Sequence, residues 1–263
     1  MSEDRDRAYE GTKEVTNDFT ERTQIVVPLV TLDVRLTRQF GLQVAASIPD
    51  VTRSGVVHRG TTAVDFSETL SGLGDTSLVS WYKLRPKNGW YTVLNVGASV
   101  PTGKTEVPRF RAELVEGSLV PMSRLQRGSG TLDPLLGANL AKRFGRMTAF
   151  GSVAARLPFY ENSNGLRTGA SWEVNAGGAR EIHTSRVSGL LRFGWLHREQ
   201  DAFDGTPVLV GGGHWLYLTP GLAAQIGKGF NVQAEVKVPV YRSLANKQLD
   251  SRAVFQFGVS RAF

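Results

Sequence analysis

A catalytic serine needs an imidazole within reach, and a metal needs several ligands on one face. The sharpest serine is Ser163, in the run Glu161-Asn162-Ser163-Asn164-Gly165, with Ser171-Trp172 just beyond. Two positions before Ser163 stands Glu161, so the hydroxyl lacks a base suited to activating it. The four histidines, His58, His183, His197 and His214, fall on separate loops or strand ends without HxH or HExxH spacing. His197 and His214 flank one loop and can come close, yet two rim histidines are more often plain polar residues. Neither an enzyme, nor a metal site, nor a cofactor is expected. What recurs instead is charge at alternate positions: Arg35, Lys83, Arg156, Glu173, Arg186, Arg192, Glu235 and Lys237, with Trp81 and Trp215 on the same faces.

Alternation of that kind belongs to strands, whose successive side chains point to opposite faces. Segments of about ten residues recur at 24–36, 40–49, 74–84, 90–101, 131–141, 147–157, 168–179, 186–197, 214–226 and 230–241. The closing stretch 250–263 places Phe255, Phe257, Val259 and Phe263 on one face and Gln256, Gly258 and Ser260 on the other. Short turns, such as Asn88-Gly89 and Gly227-Lys228-Gly229, alternate with longer polar spans at 50–72, 102–130, 158–166 and 198–213. Hairpins with one end confined and the other outside have this rhythm. A β-sandwich also alternates, but with shorter strands and loops of less regular length.

True charges on the polar face decide which side is inside. A ring of eleven or twelve strands is too wide to fill with Val and Leu, while its lumen tolerates charge in water. The reading is all-β: an antiparallel transmembrane up-and-down β-barrel of twelve strands. Residues 21–263 make the barrel, and the polar segment 1–20 is a tail or a weak first strand, with 8–17 its only strand candidate. Phe255, Phe257, Val259 and Phe263 are then the C-terminal assembly signal. The charged residues and two tryptophans named above are the lumen-lining candidates. Most of the other Trp and Tyr residues, including Trp90, Trp172 and Trp195, fall near strand ends as an aromatic girdle.

Composition agrees. The 263 residues contain 29 Gly and no Cys, and mean hydropathy is −0.18, as expected when half of each strand meets water. No run of about 18 apolar residues exists, which excludes membrane-spanning helices. The start MSEDRDRAYEGTKEVTNDF has no apolar core of a signal peptide, so export implies a leader outside this numbering. Net charge is +7, but Lys and Arg are scattered, with no nucleic-acid motif.

The order Gly72-Leu73-Gly74-Asp75, then GASVPTGK at 97–104, then LQRGSGTLD at 125–133, resembles one family. It is that of the outer-membrane transporter barrels associated with the meta-cleavage pathway of phenol degradation. The resemblance spans about 31–263 and implies a Gram-negative outer-membrane barrel taking up small hydrophobic or aromatic compounds; it supplies no catalytic residue. Arg261, two positions from the end, departs from the usual apolar signal. The Ser163 run resembles the outer-membrane phospholipase motif, except that Glu161 stands where that motif has His.

The expected function is a passive outer-membrane channel, narrow or plugged and mildly anion-favouring, with 102–130 as an inward-folding constriction or an ordinary surface loop. The alternative is a non-conducting barrel that anchors a partner complex; a lipid hydrolase is weakest. Expected partners are outer-membrane lipid and lipopolysaccharide, the barrel-assembly machinery and a protein partner under the alternative, with no nucleic acid.

Overall fold

The structure, a computed structural model, describes residues 1–16, 22–59, 62–86, 88–105, 112–115, 118–121, 126–183, 186–208, 211–227 and 229–261. These residues form strands joined by turns. The chain opens with β1 (Ser2–Gly11) and the short β2 (Lys13–Val15). Three couples follow: β3 (Arg22–Val26) with β4 (Leu29–Arg35), β5 (Phe40–Ser47) with β6 (Asp50–Arg59), and β7 (Thr62–Ser71) with β8 (Thr76–Lys83). Next come β9 (Trp90–Val100), a small hairpin of β10 (Ala112–Val115) and β11 (Ser118–Pro121), then β12 (Asp133–Phe144) and β13 (Met147–Arg156). The rest are β14 (Leu166–Arg167), β15 (Ser171–His183), β16 (Val187–Arg198), β17 (Ala202–Phe203), β18 (Thr206–Pro207), β19 (Gly213–Ile226) and β20 (Phe230–Arg261).

Each couple is one pass of chain. Pro28 and Pro49 interrupt the first two because proline cannot donate to the ladder, but register runs through: Val26 faces Asp50 and Leu29 faces Ser47. β20 must be two passes. Its 32 residues would extend beyond about 100 Å if straight. Its first part pairs with β19, from Ile226↔Phe230 to Gly213↔Leu244, and its last part pairs with β1, from Gly11↔Leu244 to Ser2↔Phe255. Consistently, the Arg261 guanidinium lies 5.0 Å from the Phe230 ring centroid.

Followed strand to strand, the main antiparallel sheet runs β4-β5-β8-β9-β12-β13-β15-β16-β19-β20-β1-β3. Because β3 and β4 are one pass, the ladder ends where it began, after twelve passes among the described residues. A ring suits hydrocarbon because it leaves few backbone groups unpaired there. Burial is inverted relative to a water-soluble fold: Val30, Leu32, Phe255 and Phe257 are 60–69% exposed, while Asp133, Glu235 and Arg242 are buried. The apolar face is the outer one.

Two stretches differ from the expectation. The first strand is Ser2–Gly11, not 8–17, and β2 turns back on it across Gly11 at φ 58. It has no apolar face to betray it, because its charges pair with neighbouring strands: Asp4 with Arg22, and Asp6 with Arg252. The span 50–72 is likewise largely a hairpin, β6 with β7, from Asp50↔Ser71 to Arg59↔Thr62. Arg53, Gly55 and Arg59 break the alternation of β6, and Glu68 that of β7. Phe263 of the expected assembly signal, and the side chains of His58 and His183, lie outside the described residues.

One glycine is fixed by the wall itself. A Cβ on Gly97 would sit 2.2 Å from the Leu78 carbonyl oxygen of the neighbouring strand. Gly97→Val is expected to cost about 1–3 kcal/mol from overpacking. The check is the fraction of folded, heat-modifiable barrel on a gel: a fraction equal to wild type would refute it.

Candidate functional site

The three glycine-rich runs meet inside the barrel, at the end bearing the longer loops. Asp75 faces inward just before β8 begins. Its carboxylate accepts from the Gly103 N–H (3.3 Å), the Ser129 N–H (2.8 Å) and the Ser129 hydroxyl (2.7 Å). The Thr102 hydroxyl donates to the Gly74 carbonyl at 2.8 Å, and the Gly128 N–H to the Lys104 carbonyl at 3.3 Å. Gly103 and Gly128 cross backbone to backbone: a Cβ on Gly128 would lie 2.7 Å from the Gly103 Cα. Arg127 lies across Gly72 and donates to the Ser71 carbonyl at 3.0 Å. Both ends of the 102–130 loop are thereby bound into the lumen; its middle, 106–111, 116–117 and 122–125, lies outside the described residues. Gly72 and Gly74 make room for Arg127 and Ser47.

Arg156 completes this cluster, with its guanidinium on Asp133 (Nε at 2.8 Å) and 3.5 Å from Asp75. Thr131 donates to Asp133 at 2.6 Å, and both are fully buried. The Ser163 run serves here as scaffold. Asn162 donates from Nδ2 to the Ser129 carbonyl at 2.8 Å, and its Oδ1 accepts from the Asn164 and Leu166 N–H groups. Ser163 itself is exposed, and Glu161 accepts from the Gly205 N–H at 2.6 Å.

A second cluster occupies the seam formed by β19, β20 and β1. Trp215, Tyr217 and Leu244 form a small buried core, with Tyr9 and Leu196 packed on it. Trp215 donates from Nε1 to Asp250 at 2.9 Å, and Arg242 pairs with Asp250 at 3.3 Å while stacking 4.0 Å from the Tyr9 ring centroid. Arg5, paired with Glu3, lines the same cleft of about 210 Å³. A cleft of about 410 Å³ lies beside Asp75, and Arg198 lines both.

The lumen candidates divide by height. Toward the middle and the loop end they are paired: Arg192 with Glu235, Lys237 with Glu173 at 3.1 Å, and Arg156 as above. Toward the short turns, Trp81 donates to Asp33 at 3.1 Å, and Lys83 sits 5.3 Å from the Tyr91 ring centroid. Arg35 and Arg186 are exposed and have no carboxylate partner among the described residues. Sequence reasoning missed Asp250, Arg242, Arg5, Ser129 and Arg127 as site residues. Asp75 was the legible one, since it closes the Gly72-to-Asp75 run.

On the outer face, His197 and His214 are cross-strand partners with Nδ1 atoms 3.1 Å apart, stacked among Trp172 and Trp195. At the other rim Lys142 lies 5.4 Å from the Trp90 centroid and 5.1 Å from that of Phe144. These make the two aromatic girdles of a membrane-spanning wall. Trp81, Trp215, Tyr91 and Tyr217 instead turn inward.

No protein-family model matches the sequence, and no curated protein matches it. Among solved structures, an outer membrane channel from Pseudomonas putida F1 is similar with a TM-score of 0.67 at 16% identity, over 98% of this chain and 92% of that one. The β domain of the Bordetella autotransporter BrkA matches at a TM-score of 0.48 and 14% identity, over 100% and 97%. OmpT, an outer membrane protein of Vibrio cholerae folded in vitro, matches at 0.44 and 7%, over 99% and 95%. At 16% identity the first of these speaks for the fold, and it agrees with the strand ladder and the inverted burial. The chain is an antiparallel transmembrane β-barrel of the bacterial outer-membrane type.

Proposed function

We propose that this barrel is a passive outer-membrane channel for small solutes, constricted at its loop end by the ends of the 102–130 loop. The observation that carries the reading is the inner face. It is charged from the turn end to the loop end, and two clefts at the loop end share Arg198 in their walls. The Pseudomonas channel's fold supports the same reading. Trp215, Tyr217 and Leu196 offer apolar surface to the hydrophobic or aromatic part of a solute, in line with the kinship that the three glycine-rich runs suggest. We read the chain as non-enzymatic, with lipid, lipopolysaccharide and the assembly machinery as its surroundings.

On the turn-side inner face Arg35, Lys83, Arg143 and Arg186 outnumber Asp33 and Glu181, the latter paired with Arg143, which favours anions. In planar bilayers under a salt gradient, the reversal potential is expected to show modest anion preference. Arg35→Glu with Lys83→Glu is expected to shift it toward cations. Cation preference in the wild type would sink the selectivity assignment.

A non-conducting anchor is the second reading, favoured by one feature: the hydrogen-bonded loop ends at Asp75. It gains support only if neither the wild type nor a variant with those ends released conducts.

A further inference from the structure

On the turn side of Ser2 the wall has a slot. β1 separates the second pass of β20 from β3 only as far as Ser2, which faces Phe255 on one side and Val26 on the other. Toward the short turns, among the described residues, β4 pairs with β5 alone, and residues 256–261 have no partner on the β1 side. All seven residues of β4 are accordingly exposed, inward-facing Leu29 by 62%, whereas only Val44 is exposed in β5 beside it. The second β20 pass and the β3–β4 pass are each antiparallel to β1, so they run parallel to one another and are not antiparallel neighbours. Where β1 ends, the slot is one strand wide, roughly 10 Å from edge to edge. Alternate residues of each edge turn N–H and C=O into it, and hydrocarbon does not tolerate such groups unpaired. We infer that the slot is the docking site of one further strand, supplied by polypeptide joined to the amino end of β1, which seals the turn-side half of the wall.

The two edges are in register for the same occupant. Met1 already lies between them: the Val27 N–H donates to the Met1 carbonyl at 2.8 Å, and Gln256 Nε2 lies 3.9 Å from Met1 Sδ. Continued backward, the two ladders of Ser2 bring the first residue before Met1 between Pro28 and Phe257 and the third between Val30 and Val259. The second falls between Leu29 and Gly258, and the fourth between Thr31 and Ser260. Odd positions thus meet the lipid side, where Val30, Phe257 and Val259 are 60–69% exposed. Even positions meet the lumen side. The occupant is therefore apolar at odd positions and small or polar at even ones, and it runs in the direction of β1. A partner's peptide or the edge of a second copy meets the same backbone groups but lacks this continuity with Met1.

The experiment fuses six residues ahead of Met1 in the full chain, either Thr-Val-Thr-Val-Ser-Val or the pattern moved by one, Val-Thr-Val-Thr-Val-Ser. The first puts its valines toward lipid and the second toward the lumen. Amide hydrogen exchange of residues 29–35 and 256–261 is expected to slow at least about tenfold with the first extension and less than about twofold with the second. The chain has no Cys, so a Cys placed third before Met1 is expected to form a disulfide with Val259→Cys, and one placed second is not. If an extended chain fails to fold, the first peptide added in trans to the unextended barrel is expected to slow exchange at the same two edges. Equal protection by both extensions, or by neither, overturns the assignment. So does an unextended chain whose edges are already protected: if light scattering then shows a dimer, a second copy fills the slot. Edges that stay unprotected in every protein make the slot an opening from lumen to lipid instead.

Discussion

Replacing Asp75 with Ala is expected to raise single-channel conductance at least about twofold and to make openings noisier. Asp75 accepts three hydrogen bonds from the two ends of the 102–130 loop and lies 3.5 Å from Arg156. Hydrogen bonds to a charged group contribute about 1.5–3 kcal/mol each. Without the carboxylate, the buried Ser129 N–H loses its acceptor and the Ser129 hydroxyl keeps only the Thr131 carbonyl at 3.1 Å, whereas Arg156 keeps Asp133 and stays in the wall. The loop ends, not the barrel, therefore carry the loss. Gly128→Val tests the same constriction by another route, because its side chain must displace the Gly103 backbone. Both variants should move conductance in the same direction, with the folded barrel's gel mobility unchanged. Unchanged conductance in both would show that these segments do not constrict the pore.

The apolar belt was legible because lipid imposes it: Val44, Leu94, Val96, Leu136, Phe193 and Leu222 alternate cleanly and all face out. Beyond the belt nothing external imposes a face. Charged residues and Gly55 interrupt the apolar side of β6 and β7, and β1 is charged on both sides, so the period-two hydropathy signal fades although the strands persist. The site was less legible. Asp75 stands in the sequence only as the last residue of the Gly72-to-Asp75 run. What binds Asp75 comes from Gly103 and Ser129, which lie 28 and 54 residues away, and no local spacing announces that meeting. Inward charges could be named from alternation, but their pairing could not. Glu173 and Lys237 sit on different strands, 64 residues apart, and meet only once the ring is formed.

Where the ring is joined, one carboxylate holds three groups. Asp250 faces the lumen from the second pass of β20, and Asp250→Ala is expected to destabilise the barrel by about 3–5 kcal/mol, the usual cost of stranding a buried ion-pair partner. Its Oδ2 accepts from Trp215 of β19 at 2.9 Å and pairs with Arg242 of the first β20 pass at 3.3 Å; its Oδ1 accepts from the Ser251 N–H at 2.8 Å. Arg242 and Asp250 are only 9% and 7% exposed, so water cannot easily replace the lost partner. Asp250→Asn keeps an acceptor for Trp215 but loses the charge, and should fall between wild type and Ala. Removing Arg242 as well removes the stranded cation, so Asp250→Ala with Arg242→Ala should cost less than the sum of the single substitutions. Arg252→Ala, on the adjacent outer face, breaks the exposed pair with Asp6 and should change stability by less than about 1 kcal/mol. Urea unfolding in lipid vesicles, followed by tryptophan emission, measures the wild type and all five variants, the single Arg242→Ala included. Additive losses at Asp250 and Arg242, or an Asp250→Ala barrel as stable as Arg252→Ala, would show that the seam is held by its backbone ladder alone.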